Sequence, residues 1–315
     1  MAAPAVIIQD ASKRFGTVHA VQGMALEVAR GSLTGFIGPN GAGKSTTIRM
    51  IMSIIRPDEG TLEVLGSDAV RAKDRIGYLP EERGLYRRMR VGEFLRYMAT
   101  LKGVPAAGLG RRVSDWLERV QLPEAARKRC QELSKGQQQK VQFIAAVIHD
   151  PELVILDEPF SGLDPVNARL LNRLIRELHA QGRTIVFSTH VMHQAEQLCD
   201  RIVLINKGRK ILDDTMAGIR ARFDPRTVQA EPVDGNPGCT GALARVPGVE
   251  RAAWLPQRRA AELAVSRGAD VQQVMRDALA AMPMRAVELR RTTLDDVFVE
   301  LVGEPAPPSA EAGNG

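Results

Sequence analysis

Between Leu33 and Thr47 the chain reads Leu-Thr-Gly-Phe-Ile-Gly-Pro-Asn-Gly-Ala-Gly-Lys-Ser-Thr-Thr. The spacing Gly38-x4-Gly43-Lys44-Ser45 suits the binding of a nucleoside triphosphate. Glycines let the backbone curl so that successive N–H groups face phosphate oxygens. A helix beginning at Lys44 adds its positive N-terminal end at the same spot. Lys44 brings a point charge for the β- and γ-phosphates, and the Ser45 hydroxyl can ligate Mg²⁺. A second set of groups stands at Leu153 to Pro159, where a continuous apolar run ends in the carboxylates Asp157 and Glu158. Asp157 is placed to hold Mg²⁺ through water, and Glu158 to take a proton from an attacking water. His190 ends a third apolar run, on the side where the phosphate loop opens and within reach of a γ-phosphate.

These groups need strands and helices to hold them. The unbroken apolar runs 33–37, 153–157 and 184–189 suit buried parallel strands. Residues 5–10 read as an edge strand, 20–22 as a second short strand, and 24–37 as a hairpin turning at 29–32. A helix over 44–55 stops before Arg56-Pro57-Asp58-Glu59-Gly60. Strands follow at 61–65 and 76–79. From Arg90 to about Cys130 the apolar residues fall at helical spacing, with a break at 103–110. This helical subdomain (about 88–150) has Arg87, Arg88 and Arg90 at its mouth. Ser134 is a good N-cap, and the amides behind it make either a second anion-ready helix end or a plain capped helix. The helix itself reads as 141–149. Another helix spans 166–181, and 202–206 with 210–212 form a hairpin around Lys207-Gly208. Phe15, on a loop upstream, can stack on a purine or pack on its own strand.

The 315 residues are 44% hydrophobic and 25% charged, as in a globular protein that can hold one large domain or two. No apolar run is long enough to cross a bilayer. The N-terminus carries no basic region before its apolar residues and does not read as a signal peptide. Cys130, Cys199 and Cys239 show no metal or redox spacing and suit reduced thiols in the cytoplasm. The first 222 residues hold 33 basic and 24 acidic groups, whereas 223–315 hold 10 Arg, no Lys and 13 acidic groups. A basic excess suits a triphosphate site; with aromatics at 4% and no basic patch interleaved with them, nucleic acid is not the expected partner.

Five motifs stand in one order: GPNGAGKST (38–46), LSKGQQQ (133–139), LVILDEP (153–159), SGLD (161–164) and STH (188–190). Together, over about residues 5–222, they resemble the ATP-binding cassette (ABC) ATPases. The implied fold is α/β, a P-loop NTPase cassette with a mixed sheet plus a helical subdomain. By that resemblance Gly38, Pro39, Asn40, Gly41, Ala42, Gly43, Lys44, Ser45 and Thr46 hold ATP, and Ser45 and Asp157 hold Mg²⁺. Glu158 is the general base, His190 the γ-phosphate switch, and Phe15 with Val21 packs on adenine. Ser134, Gly136 and Gln137 act in trans on ATP bound to a second copy, giving a dimer with two nucleotides between its subunits. Where most members carry glutamine, this chain has Glu81, which can still meet Mg²⁺ and ATP but brings a charge.

The character changes near Phe223-Asp224-Pro225. Strands are expected at about 226–231, 249–254, 260–265 and 284–290, with helices at 270–281 and 294–302, the last capped by Thr292 or Thr293. This small C-terminal α+β domain (223–303) resembles the accessory domain of sodium-efflux and multidrug-exporter-like cassettes. Residues 304–315 read as disordered. The function implied is the ATP-hydrolysing subunit of an exporter. A separate membrane permease would dock near Glu81, Tyr86 and Arg87, holding the chain on the cytoplasmic face of the cell membrane. The rival is a cassette ATPase acting on ribosomes or DNA, which usually carries two cassettes or a coiled-coil insert. A non-hydrolysing regulator is opposed by intact Asp157, Glu158 and His190.

Overall fold

The computed structural model describes residues 3–82, 84–224 and 226–303. The tail 304–315 lies outside them. Residues up to Met216 form one compact unit and those from Ala217 a second.

The first unit opens with β1 (Val6–Phe15) and β2 (Val18–Val28), an antiparallel pair turned at Gly16. The hairpin expected over 24–37 does not form. β3 (Leu33–Ile37) is buried at every position, as a strand with neighbours on both sides needs to be, while β2 alternates buried and exposed from Met24 onward. The chain therefore crosses between two sheets at 29–32. Helix α1 (Lys44–Ile51) stops short of residue 55, because Ser53 takes a left-handed φ of 52°. β4 (Glu59–Val64) pairs with β1, so the sheet order is β2-β1-β4 and β1 is central, not an edge.

Next come β5 (Ile76–Leu79), α2 (Val91–Leu101), α3 (Leu109–Arg119) and α4 (Lys135–Val147). α4 starts six residues before the expected 141. Its first turns are polar and so invisible to an apolar pattern, yet they are fastened: Gln139 Nε2 donates to the Pro159 carbonyl at 3.0 Å and Lys140 Nζ to Asn167 Oδ1 at 2.9 Å. The unit closes with β6 (Leu153–Asp157), α5 (Pro165–Ala180), β7 (Thr184–Thr189), α6 (Met192–Leu198), β8 (Arg201–Asn206) and β9 (Arg209–Thr215). Six strands make one sheet in the order β5-β6-β7-β3-β8-β9, parallel except for β9. Asp157 stands beside Ser188 and Ile37 beside Thr189, so three motifs end at the same edge of the sheet. Phe36, Ile155, Val186 and Val203 pack under Ile48 and Ile51 of α1. Each such side chain contributes roughly 1.5–3 kcal/mol by leaving water, which fixes the helix behind the phosphate loop.

The chain continues with α7 (Met216–Arg222), β10 (Thr227–Pro232), α8 (Cys239–Leu243), β11 (Val249–Leu255), β12 (Ala260–Val265), α9 (Val271–Ala281), β13 (Met284–Leu289) and α10 (Leu294–Val302). Its strands form an antiparallel sheet in the order β11-β12-β10-β13. Leu243, Leu263, Val274 and Ala278 share its core. Helix α8 was not expected from its Pro- and Gly-rich surroundings. Thr293 caps α10 in a capping box with Asp296, whereas the Thr292 hydroxyl donates to the Phe223 carbonyl. Among the described residues no helix is long and apolar enough to cross a membrane.

Candidate functional site

The turn between β3 and α1 is built around two glycines that nothing larger can replace. At Gly38 (φ 155°) an added Cβ would stand 2.0 Å from the Ile205 carbonyl oxygen; at Gly43 (φ 105°) it would stand 2.5 Å from that of Ala20. The loop thus lies pressed on β8 and β2, with its amides turned the other way. Lys44 Nζ donates to the carbonyls of Gly38 at 2.7 Å and Pro39 at 3.1 Å. Burial pushes the Lys44 pKa down, and the charges of Glu158, Asp157 and Glu81 oppose that shift. The ammonium is therefore bonded to loop carbonyls in the field of three carboxylates, a balance that calls for a divalent cation beside any added phosphate.

The end of β6 supplies the acids. Burial raises the Asp157 pKa, countered by hydrogen bonds from Ser188 and Ser45. Ser45 Oγ lies 3.4 Å from Asp157 Oδ1, which also accepts the Ser188 hydroxyl. Glu158 sits at a left-handed φ of 49°, a strained backbone for a non-glycine residue. Its carboxylate is held from several directions. Oε1 accepts the His190 N–H at 2.9 Å and lies 2.8 Å from His190 Nδ1; Oε2 lies 3.3 Å from Thr189 Oγ1. The short contact to a carboxylate requires the proton on Nδ1. Next to β6 in the sheet, burial and the charge of Asp157 push the Tyr78 phenol up to about 12, against the help of Arg49.

The loop and Glu158 meet at a cavity of about 670 Å³, whereas Gly38, Pro39, Asp157 and His190 do not line it. Asn40 through Thr46, Glu81 and Glu158 line it, with Val18, His19, Ala20, Gln22 and Lys207. Two expectations are corrected here. Val21 is 0% exposed, packed in the core, and cannot meet a base; Val18, 63% exposed, is the lining valine. Phe15 ends β1, paired with Val18, rather than sitting on a loop; it is 51% exposed with Lys13 Nζ 5.7 Å from its ring centre, and it does not line the cavity. Val18, His19, Gln22 and Lys207 were not singled out in the sequence. The strand alternation beyond Phe15 was the one signal for Val18, and the hairpin that brings in Lys207 is remote in sequence.

Ser134, Gly136 and Gln137 do not line this cavity. Ser134 is exposed, and it and Gln137 cap α4 reciprocally, at 3.2 Å and 3.0 Å. A Cβ on Gly136 would meet only Leu163 and Asn167, at ordinary contact distances. Asp164 caps α5 through the amides of Val166 and Asn167. The donors near Lys44 that could hold a divalent cation, Ser45, Asp157 and Glu81, are all oxygen, which fits Mg²⁺.

The ABC transporter family description matches residues 21–161. A second description, the C-terminal domain of DrrA1-3-like ATP-binding proteins, matches residues 215–302. An uncharacterized ABC transporter ATP-binding protein of Bacillus subtilis, YhaQ, is 37% identical over 297 residues, 94% of this chain and 98% of its own. The daunorubicin resistance ATP-binding protein DrrA3 of Streptomyces coeruleorubidus is 33% identical over 96% of this chain and 98% of its own. A solved ATP-binding subunit of an ABC transporter superposes with a TM-score of 0.65 at 32% identity, covering 70% of this chain and 93% of that one.

Proposed function

This chain belongs to the ABC transporter family as an ATP-binding subunit that hydrolyses ATP to power transport, and on that premise we propose how its residues divide the work. Such subunits dimerise and work with a membrane permease. The daunorubicin-resistance relative supports export as the direction. Asn40 to Thr46 and Lys44 cradle the phosphates of ATP, and Val18 rather than Val21 meets the base. Ser45, Asp157 and Glu81 hold Mg²⁺, which when bound neutralises phosphate charge. Glu158 takes the proton of the attacking water. His190 fixes the Glu158 carboxylate in orientation and serves as the γ-phosphate switch. Ser134, Gly136 and Gln137 serve the ATP of the partner copy.

What carries this reading is the contrast between a buried Glu158 at the cavity and an exposed Ser134 turn outside it. A turn exposed at Ser134 and Lys135 is free to close on a second molecule. For the permease, a shallow groove of about 490 Å³ lined by Tyr86, Arg87, Arg88, Met89 and Tyr97 supports docking of a membrane-protein helix there. Tyr86 meets Phe94 and Tyr97 edge-on, a firm aromatic base for such a contact. The same docking would hold the chain on the cytoplasmic face of the cell membrane. The Glu158→Gln variant with Mg-ATP should sediment as a dimer, because binding persists while the reopening step is blocked. A monomer with ATP bound would overturn the two-copy arrangement for the isolated subunit.

A further inference from the structure

A second cavity, of about 430 Å³, lies between α5 and α6. Arg169, Asn172, Arg173 and Arg176 line it from α5, Gln194 and Gln197 from α6, and the nearly buried Phe160 from the loop after Glu158. The four α5 positions recur at three- and four-residue spacing and so share one helix face. Glu177 lies 3.6 Å from Arg173 Nε and is shared with Arg119, which it holds at 2.8 Å. Arg176 bonds neutral oxygens, Asn172 Oδ1 at 2.9 Å and the Gln197 carbonyl. Guanidinium forks beside side-chain amides suit phosphoryl oxygens, and the volume is that of a small-molecule site.

The cavity is wired to the catalytic carboxylate. Gln194 Oε1 lies 3.2 Å from Thr189 Oγ1, and the same hydroxyl lies 3.3 Å from Glu158 Oε2. A hydroxyl has one proton, so it serves one of these acceptors at a time. With its oxygen bonded to Thr189, the Gln194 amide of this cavity lining keeps its NH₂ for another acceptor. A phosphoryl group taking that NH₂ polarises the amide and strengthens its oxygen as a competitor for the Thr189 proton.

We propose that this cavity binds a small phosphorylated ligand and that its occupancy is read at Glu158 through Gln194 and Thr189. The binding stands apart from the function proposed above; the coupling rests on the role given there to Glu158. The phosphoryl group could belong to a soluble metabolite or to a lipid headgroup, and two probes separate these sources. With the nucleotide site saturated by magnesium and a non-hydrolysable ATP analogue, the full chain is titrated calorimetrically with fructose 1,6-bisphosphate. In parallel it is sedimented with phosphatidylglycerol or phosphatidylcholine vesicles. One probe, the bisphosphate or the phosphatidylglycerol vesicle, should bind, and Arg169→Gln with Arg173→Gln should weaken it at least tenfold; both side chains are exposed, so the fold is kept, as an unchanged circular dichroism spectrum would verify. No binding of either probe above the phosphatidylcholine level, or equal binding by the double variant, overturns the site. A double variant that loses dimerisation while no probe binds overturns it too, in favour of an interface between copies. The bound probe should also change ATP turnover at least twofold in the parent chain and leave it unchanged in Gln194→Leu at saturating probe. An equal response in both overturns the coupling alone. If Glu158 is not the base, the probe still binds and only this response is lost.

Discussion

The phosphate loop and the Ser134 turn are both helix N-termini, and they are built in opposite ways. The loop before α1 is enclosed. Its lysine is buried, its glycines are pressed on neighbouring carbonyls, and three carboxylates converge on it. The turn before α4 is exposed, its serine and glutamine cap each other, and it does not line the cavity. One end has the charge and depth to hold a triphosphate but is open on one side. The other has donors and exposure but no depth. Neither completes a site alone, and the difference is what a two-copy arrangement uses.

The sharpest way to break this comparison is within the enclosed half. Glu158→Gln should slow hydrolysis by ~10²–10⁴-fold, the usual worth of a general base, while ATP binding measured by equilibrium titration persists. Turnover near that of the parent chain would remove Glu158 from the role.

Much of the enclosed half was legible in the sequence, because a phosphate loop, an acid-ended apolar strand and a histidine at a strand end each have local signatures. The 2.8 Å contact between Glu158 and His190 is an addition of the structure to that reading. What was not legible depended on contacts remote in sequence. Val21 reads as a ligand residue until the β1–β2 register turns it inward and Val18 outward. The first turns of α4 looked like a loop because the partners of Gln139 and Lys140 lie 20 and 27 residues downstream. The apparent hairpin over 24–37 splits because β3 finds β7 and β8, both far along the chain. In the second unit the strand alternation was strong enough to place all four strands, while α8, five residues long, was too short to show a period.

A smaller effect contrasts the sheet beneath the enclosed half with the exposed turn. His149 Nε2 lies 3.1 Å from the Ile76 carbonyl, and burial, with Lys102 nearby, lowers its pKa to about 4. The ring is neutral in the folded chain, so unfolded molecules bind the extra proton first. Stability contributed by His149 is full above pH ~6.5 and is lost as pH falls toward 4, by at most about 1.4 kcal/mol per pH unit. Chemical denaturation of His149→Phe across pH 4–7 should show a shallower slope than the parent chain; an equal slope would place the proton uptake elsewhere.

The smallest effect compares two caps. Ser134→Ala and Thr293→Ala should each cost about 1 kcal/mol of stability, as lost N-caps do. Only Ser134→Ala should also lower ATP turnover. If both leave turnover alike, the exposed turn is a cap and nothing more.

The most direct measurement mixes two inactive variants. Lys44→Ala removes the phosphate-loop charge but keeps the Ser134 turn; Gly136→Asp spoils the turn but keeps the phosphate loop. An equimolar mixture should recover ATP hydrolysis to about a quarter of the parent rate, since half the pairs form a mixed dimer with one complete site. A mixture no more active than its two components would contradict the account, because each turn would then be serving its own chain.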